Sequence, residues 1–439
     1  MSAPGRREMP GRLNLFQAAM LEWRDHHPYN AVHAARLARP YGREALAAAI
    51  ERELTAAGLV GLAIDRARGR YVWRGTPSPV ALETIAPDGD WVQSLGAAFE
   101  RHLNAPFPRD GAIEPFRFFA LEDGDGFFLG LAYDHFIAGG DSIVVLLEAI
   151  AARYVGARTK TPALRLYPPT HARLFARHPW QFLRGLARFP ALAASCRRTI
   201  RPRYRDIADG YNAFQFVPVE HDDYLALRQA AKRWGVTLND ALMALLLAVQ
   251  DDAMPGRDRK KRRRELAVAS IVNLRNAHGD DAHRTCGQYL GSFRVSHAMP
   301  AGVALADVAA DVHRASTRLK REKLYLATLF AMAVDRQIGR LQNARQRMDI
   351  YAKNYPVGAG VSSFDVDALW RDAASKPALY VRGVPTGPLS PIVAAVTTCG
   401  ERMCIGLSFR TTAVSRDDAA AIGRSIVTRI KALAHDTKN

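Results

Sequence analysis

The stretch Phe116 to Leu147, FRFFALEDGDGFFLGLAYDHFIAGGDSIVVLL, constrains the fold more than any other part of the chain. Two apolar runs, Phe116 to Leu121 and Phe127 to Tyr133, flank Glu122-Asp-Gly-Asp-Gly126. Glycine supplies the positive φ angles of tight turns, so this pattern predicts a β-hairpin. Asp134 and His135 then fall at the end of the second strand, and Gly139-Gly140 precede a helix predicted over Asp141 to Val155. Strand, turn, strand and helix in one block point to a mixed α/β chain. They also set an imidazole beside backbone that a ligand can approach closely, since glycine has no Cβ. An unperturbed imidazole titrates near pH 6.5, which makes His135 a candidate general base.

At 439 residues, with 48% hydrophobic and 24% charged residues, the chain can bury a large core and is long enough for two lobes. Helical spacing appears over Leu13 to Trp23, Gly42 to Ala57, Trp91 to Leu103, Asp222 to Arg233, Leu238 to Gln250, Val303 to Lys323 and Ser415 to Ala434. Strands are expected over Ala213 to Val219, Leu266 to Arg275 and Ala359 to Val366. A hairpin is expected from Ile392 to Thr398 with Met403 to Arg410. Helices and strands thus mix in both halves. Residues 1–157 read as an N-terminal lobe, 158–205 as a proline-containing basic crossover and 206–439 as a C-terminal lobe.

The net charge is +18, but its placement matters more than its size. Residues 158–205 hold twelve basic side chains and no acid, and Arg257 to Glu265 adds seven basic and two acidic ones. All but one of the eighteen charges therefore sit in two local features, and the body is close to neutral. Neither feature has the context of a nucleic-acid reader. In the crossover, Phe182, Leu186 and Phe189 lie at i, i+4 and i+7, with Arg177, Arg184 and Arg188 on another face and Trp180 alongside. Such a stretch (177–198) suits an anionic membrane surface or a strap that buries its apolar face within the protein. Lys260 to Arg264 reads as a solvated loop able to attract phosphates or an acidic carrier protein.

Four cysteines without short repeated spacing give no zinc ligand set and no disulfide framework, and no cluster suggests any other metal. Cys399 and Cys404 flank a turn and read as ordinary strand residues. Neither a signal-peptide core nor a run of about 20 apolar residues is present. The expectation is a cytoplasmic protein, with peripheral association at the inner membrane face as the extension offered by 177–198. There is no G-x-S-x-G elbow for a serine nucleophile. His26-His27 lacks a downstream Asp-Gly and reads as a surface or capping pair.

The segment from Asp134 onward resembles the superfamily of chloramphenicol acetyltransferase, nonribosomal condensation domains and bacterial wax ester synthase/diacylglycerol acyltransferases. Its signature is HHxxxDG, often followed by WSxxxL. Here it is matched by Asp134, His135, Phe136, Ile137, Ala138, Gly139 and Gly140, then Asp141, Ser142 and Leu146. The first histidine is replaced by Asp134 and the motif aspartate by Gly139. Gly235 to Val249 (GVTLNDALMALLLAV), Val268 to Arg275 (VASIVNLR), Gly287 to Phe293 (GQYLGSF) and Gly358 to Val366 (GAGVSSFDV) follow in the family's order. The wax-ester-synthase branch is the closest in character.

The resemblance implies an α/β fold of two lobes meeting at a tunnel, as in coenzyme A-dependent acyltransferases. It implies transfer of an acyl group from a coenzyme A or acyl-carrier-protein thioester, as co-substrate, to an alcohol or amine acceptor, including a lipid. No permanently bound cofactor and no acyl-enzyme are implied. O-acylation is favoured over N-acylation; a standalone condensation enzyme forming an amide and a catalytically silent lipid- or carrier-binding protein are the alternatives. His135 matches the family's catalytic histidine, and the Gly140 N–H is the expected oxyanion donor. Asn273, Ser362 and Ser363 are further oxyanion or tunnel candidates. Arg275 matches an arginine that pairs with the motif aspartate. With Gly139 in that place, Asp141 or Asp134 is expected to supply the carboxylate.

Overall fold

The computed structural model describes residues 8–75, 80–157, 163–164, 172–278, 285–339 and 341–435. The crossover residues Arg158, Lys160 and Arg165 lie outside them. The chain divides into two compact units, and the division is not contiguous. The first contains residues 1–171, 274–289 and 365–383; the second contains 172–273, 290–364 and 384–439. Against the expected lobes 1–157 and 206–439, two segments from the second half of the sequence are built into the first unit. Strand pairing is the reason.

The first unit is organised around a five-stranded sheet in the order Leu379–Gly383, Asn30–Leu37, Gly126–Asp134, Phe116–Asp123, Leu82–Ile85. Leu379–Gly383 pairs antiparallel with Asn30–Leu37, which recruits this late segment as an edge strand. The hairpin forms as its sequence dictates. Gly124 takes φ +62° at the turn, and Gly130 faces Phe119 across the pair. A Cβ at Gly130 would stand 2.1 Å from the Phe119 ring, so the missing side chain lets the ring lie over the strand. Every residue of Gly126–Asp134 is buried, as befits a central strand covered on both faces.

Local capping sets the helices of this unit. Helix Leu15–Arg24 starts at Asn14, whose side chain accepts the Gln17 N–H (2.9 Å) while the Gln17 side chain accepts the Asn14 N–H (3.2 Å). Asp90 caps Trp91–Asn104, and Gly58, at φ +74°, ends Arg43–Ala57. Between Arg24 and Asn30, where a surface or capping pair is expected, His27 is buried and the His26 and His27 N–H groups both reach the Trp23 carbonyl at the helix end. A smaller four-stranded sheet, Met9–Arg12, Arg70–Trp73, Leu62–Asp65 and Gly111–Ile113, completes the unit's strands along with the short parallel pair Thr285–Cys286 and Ala163–Leu164.

The second unit carries a six-stranded sheet in the order Asn212–Val219, Arg402–Arg410, Ile392–Cys399, Ala359–Asp365, Leu266–Asn273, Leu290–His297. Its core joins that sheet to helices His221–Arg233, Leu238–Asp252, Leu305–Arg321 and Arg416–His435. Thr237 and Asp240 form a capping box at the start of Leu238–Asp252. Asp240 also accepts from Ser316 (2.6 Å) and pairs with His313 Nδ1 (2.8 Å), tying that helix start to Leu305–Arg321. Cys404 lies opposite Thr397 and Cys399 opposite Arg402, so the two thiols do not face each other. All four cysteines are buried thiols.

The basic segment is helical where it is described: Ala172–Arg177, Pro179–Ala187 and Phe189–Arg198. Phe182, Leu186 and Phe189, the stripe read as meeting a membrane surface or as buried within the protein, are all half-buried. Phe182 is half-buried against Phe175 and Phe330, and the fully presented side chains are Trp180 and Leu183. Arg188 turns inward to Glu322 at 3.0 Å. A break at Arg188, with Pro190 opening the next helix, interrupts the single amphipathic face that the spacing implied.

Candidate active site

Strand alternation separates Asp134 from His135. Asn30 lies opposite Asp134 and Ala31 opposite Tyr133, while His33 lies opposite both Leu131 and Arg382. Directly opposed residues share a face. One face therefore carries Arg382, Tyr380, His33, Tyr133 and, one step beyond the strand, His135. Asp134 points the other way and bonds to Arg24. Burial raises the pKa of that carboxyl against the pull of the arginine.

His135 is held from several sides. Its backbone N–H reaches the Tyr29 carbonyl at 3.2 Å, the Tyr29 ring stacks on the imidazole with centroids 5.7 Å apart, and the Tyr133 ring meets it edge-on at 5.7 Å. The imidazole Nδ1 lies 3.2 Å from the Ala138 carbonyl oxygen. A carbonyl can only accept, so Nδ1 carries the hydrogen and Nε2 carries the lone pair. Burial, reinforced by the Arg382 charge, pushes the imidazole pKa down to about 4 despite the bond to Ala138. The ring is therefore neutral at physiological pH.

A polar row runs behind it. His33 Nδ1 and the Tyr380 hydroxyl are 2.7 Å apart, and the His33 ring packs edge-on against Tyr133 (5.7 Å) and Tyr380 (5.6 Å). Burial, with Arg382 and His135 adding to it, holds His33 far below the ordinary histidine pKa. Arg382 is 1% exposed. Burial lowers its pKa to about 10, while Tyr380, Tyr133 and Asp141 oppose the shift, and it remains charged at neutral pH.

The glycine loop after His135 is clasped by Arg275, Gly287 and Gln288. Gly139 N–H donates to the Gly287 carbonyl (2.9 Å). Gln288 Nε2 donates to the carbonyls of His135 (2.9 Å) and Ala138 (3.4 Å). The Ser142 hydroxyl donates to Gly287 O (3.0 Å) and accepts from Gly287 N (3.0 Å) and from Arg275 Nη2. Arg275, 2% exposed, lies over the Tyr289 ring at 4.6 Å, with Nε 3.4 Å from Asp141 Oδ2. Asp141, rather than Asp134, is thus the carboxylate beside Arg275.

Gly140 is the first residue of helix Gly140–Tyr154, with Gly139 as N-cap. First-turn amides have no intrahelical acceptor and lie at the positive end of the helix dipole. Asn273, Ser362 and Ser363 belong to the second unit. Asn273 is exposed and Ser362 buried. The Ser363 hydroxyl donates its one hydrogen to Asn239 Oδ1 (2.9 Å), and Asn239 in turn meets Ser270 (3.3 Å).

Arg382, His33, Tyr380 and Gln288 are the site residues that sequence reasoning missed. Gln288 sits in the GQYLGSF segment and was within reach of it. The others lie on strands that local pattern did not reveal.

Among the described residues there is no group of three or more His, Cys, Asp or Glu side chains placed to hold a metal, and no helix long and apolar enough to cross a membrane. No protein-family model and no curated protein matches the sequence. Solved structures do match over nearly the whole chain. The first condensation domain of the CDA synthetase is 16% identical with a TM-score of 0.72, covering 98% of this chain and 97% of that one. The cyclization-docking bidomain of a nonribosomal peptide synthetase from Sorangium cellulosum is 10% identical with a TM-score of 0.70, covering 99% and 87%. The starter condensation domain of rhizomide synthetase, in complex with C8-CoA and Leu-SNAC, is 13% identical with a TM-score of 0.64, covering 97% and 94%.

The protein therefore has the mixed α/β condensation-domain fold of the chloramphenicol acetyltransferase type, with open sheets. The likeness lies with condensation-type domains, and the narrower expectation of a wax-ester-synthase branch gains no support from it.

Proposed function

We propose that this protein is an acyltransferase that moves an acyl group from a thioester to an amine or alcohol, with His135 as general base. The observation that carries this reading is the tautomer. Nδ1–H is committed to the Ala138 carbonyl, so Nε2 is left to take a proton at the end of a strand, next to a helix start. In the step proposed, Nε2 removes the proton from the acceptor N–H or O–H as that atom attacks the thioester carbonyl carbon. The tetrahedral oxyanion is met by the Gly140 N–H at the helix N-terminus. Collapse breaks the C–S bond, and the imidazolium returns its proton to the leaving thiolate. No acyl-enzyme forms.

Arg382 acts here as a positioning charge that favours the neutral imidazole. Arg275, Asp141, Ser142 and Gln288 hold the loop on which His135 and Gly140 sit. The donor is read as the thioester end common to coenzyme A and carrier-protein arms. The condensation-domain likeness moves the preferred acceptor from alcohol to amine, since one solved neighbour holds Leu-SNAC, a thioester bearing a free amine.

Thiol release tests the reading. With C8-CoA and acyl-carrier thioesters as donors, and amine and alcohol acceptors in parallel, His135→Ala should lose ~10²–10⁴ of the acceptor-dependent rate. Equal rates in wild type and variant would remove the enzymatic reading.

A further inference from the structure

Helix Tyr325–Gly339 is covered over its first turns and leaves apolar side chains exposed further along. Tyr325, Leu326, Ala327 and Leu329 are buried, while Phe330, Val334 and Ile338 are 40%, 41% and 47% exposed, followed by Leu341 at 90%. The spacing i, i+4 and i+8 puts Phe330, Val334 and Ile338 in one stripe, and Leu341 follows in the turn just beyond the helix.

A second helix extends this stripe sideways. Pro179–Ala187 packs against Tyr325–Gly339, with Phe182 and Phe330 rings 5.5 Å apart. Gly185 permits the approach, since a Cβ there would stand 3.0 Å from that of Ala327. This helix presents Trp180 at 76% and Leu183 at 52% exposure. Five of the eight large apolar side chains exposed among the described residues therefore belong to two adjoining helices of one unit, and Leu341 is a sixth, two residues past the end of one of them. Scattered exposed leucines would need no explanation, but a contiguous patch does.

The charge around the patch is predominantly positive. Residues 172–205 carry nine arginines and no acid. Arg173, Arg177 and Arg184 are exposed beside Trp180 and Leu183, and Arg345 and Arg347 are exposed just beyond Leu341. Between residues 325 and 347 the sole acid is Asp335, which accepts a hydrogen bond from the Tyr351 hydroxyl. Aromatic and aliphatic tips ringed by arginines match the interface of an anionic bilayer. We propose that the crests of helices Pro179–Ala187 and Tyr325–Gly339 dock this protein on an anionic lipid surface, with Trp180, Leu183, Phe330, Val334, Ile338 and Leu341 entering the headgroup layer. This goes beyond the acyl-transfer reading and does not depend on it.

The test is sedimentation of the full chain with phosphatidylcholine vesicles, with or without phosphatidylserine, alongside light scattering of the free protein. The wild type should bind the anionic vesicles, bind neutral ones far less, and release with added salt. The variant Trp180→Ser/Leu183→Ser/Ile338→Ser/Leu341→Ser should bind at least tenfold more weakly. So should Arg177→Gln/Arg184→Gln, which leaves the apolar tips in place. All six positions are exposed, so circular dichroism and melting should match the wild type. Failure of the wild type to bind anionic vesicles, or unchanged binding by both variants, would overturn the proposal. So would a wild-type dimer that the four-serine variant converts to monomer, because the patch would then be covered by a second copy of the chain.

Discussion

His135 has two ring nitrogens, and its hydrogen bond to Ala138 decides which can act. Because burial and the Arg382 charge both disfavour the imidazolium, the base stays neutral well below the usual histidine range, with its pKa at about 4. Protonation removes the lone pair, so acceptor-dependent kcat/KM should hold as pH falls through 6.5 and decline only towards the value of the buried ring. Removing a positive neighbour stabilises the imidazolium, and Arg382→Met should therefore move the acid limb of kcat/KM to higher pH. Removing one member of a buried polar group leaves its neighbours without that partner and destabilises, although Asp141 still has Arg275. Arg382→Met should thus melt below wild type, and its pH profile is read at a temperature where it stays folded. An unchanged pH profile would reduce Arg382 to a structural role.

Elements explain which parts of this site could be read in the sequence. The hairpin and the helix after it were legible because Asp-Gly turns and long apolar runs are local signals, and His135, Gly140 and Asp141 came with them. The two strands that complete the polar row were not. Asn30–Leu37, NAVHAARL, is rich in alanine and buried at nearly every position, so it lacks the polar alternation of a half-exposed strand. Leu379–Gly383 is five residues long, and its inward Arg382 contradicts the apolar pattern of a buried strand. Both are strands because neighbours pair with them, and pairing between residues about 350 apart in sequence leaves no local trace. Helix Pro179–Ala187 is a different case, since spacing found Phe182 and Leu186, which are half-buried, whereas Trp180 and Leu183 meet solvent. The legible hairpin offers a direct test. Phe119 is fully buried and cannot move aside, so Gly130→Val should destabilise the protein by about 1–3 kcal/mol through overpacking. Urea unfolding measures this, and stability equal to wild type would show that the ring does not need the glycine.

At the scale of the whole molecule, the charge excess divides into groups with different physical duties. In the loop of residues 257–265, Arg257 has a side chain 4% exposed that pairs with Asp251. It also donates to the carbonyls of Arg264, Ala298 and Met299 at 2.6, 2.8 and 2.7 Å. Arg263 donates to the carbonyls of Thr199 (2.7 Å) and Cys196 (3.3 Å). Lys260, Lys261 and Arg262 in the same run are exposed, with Lys261 4.0 Å from Asp258. The first two arginines organise backbone that would otherwise lose its partners on burial, whereas the latter three add charge to solvent. Their removal should therefore have unequal consequences although each costs one positive charge. Arg257→Gln should lower stability by about 1–3 kcal/mol, since it removes the close partner of Asp251 and three hydrogen bonds that fasten neighbouring backbone. Asp251 keeps only Arg259. Lys260→Ser/Lys261→Ser/Arg262→Ser should stay within about 0.5 kcal/mol per site. Denaturant unfolding of both variants at one ionic strength compares them directly. Comparable losses would mean that net charge, rather than the bonds of individual arginines, governs the stability of this basic protein.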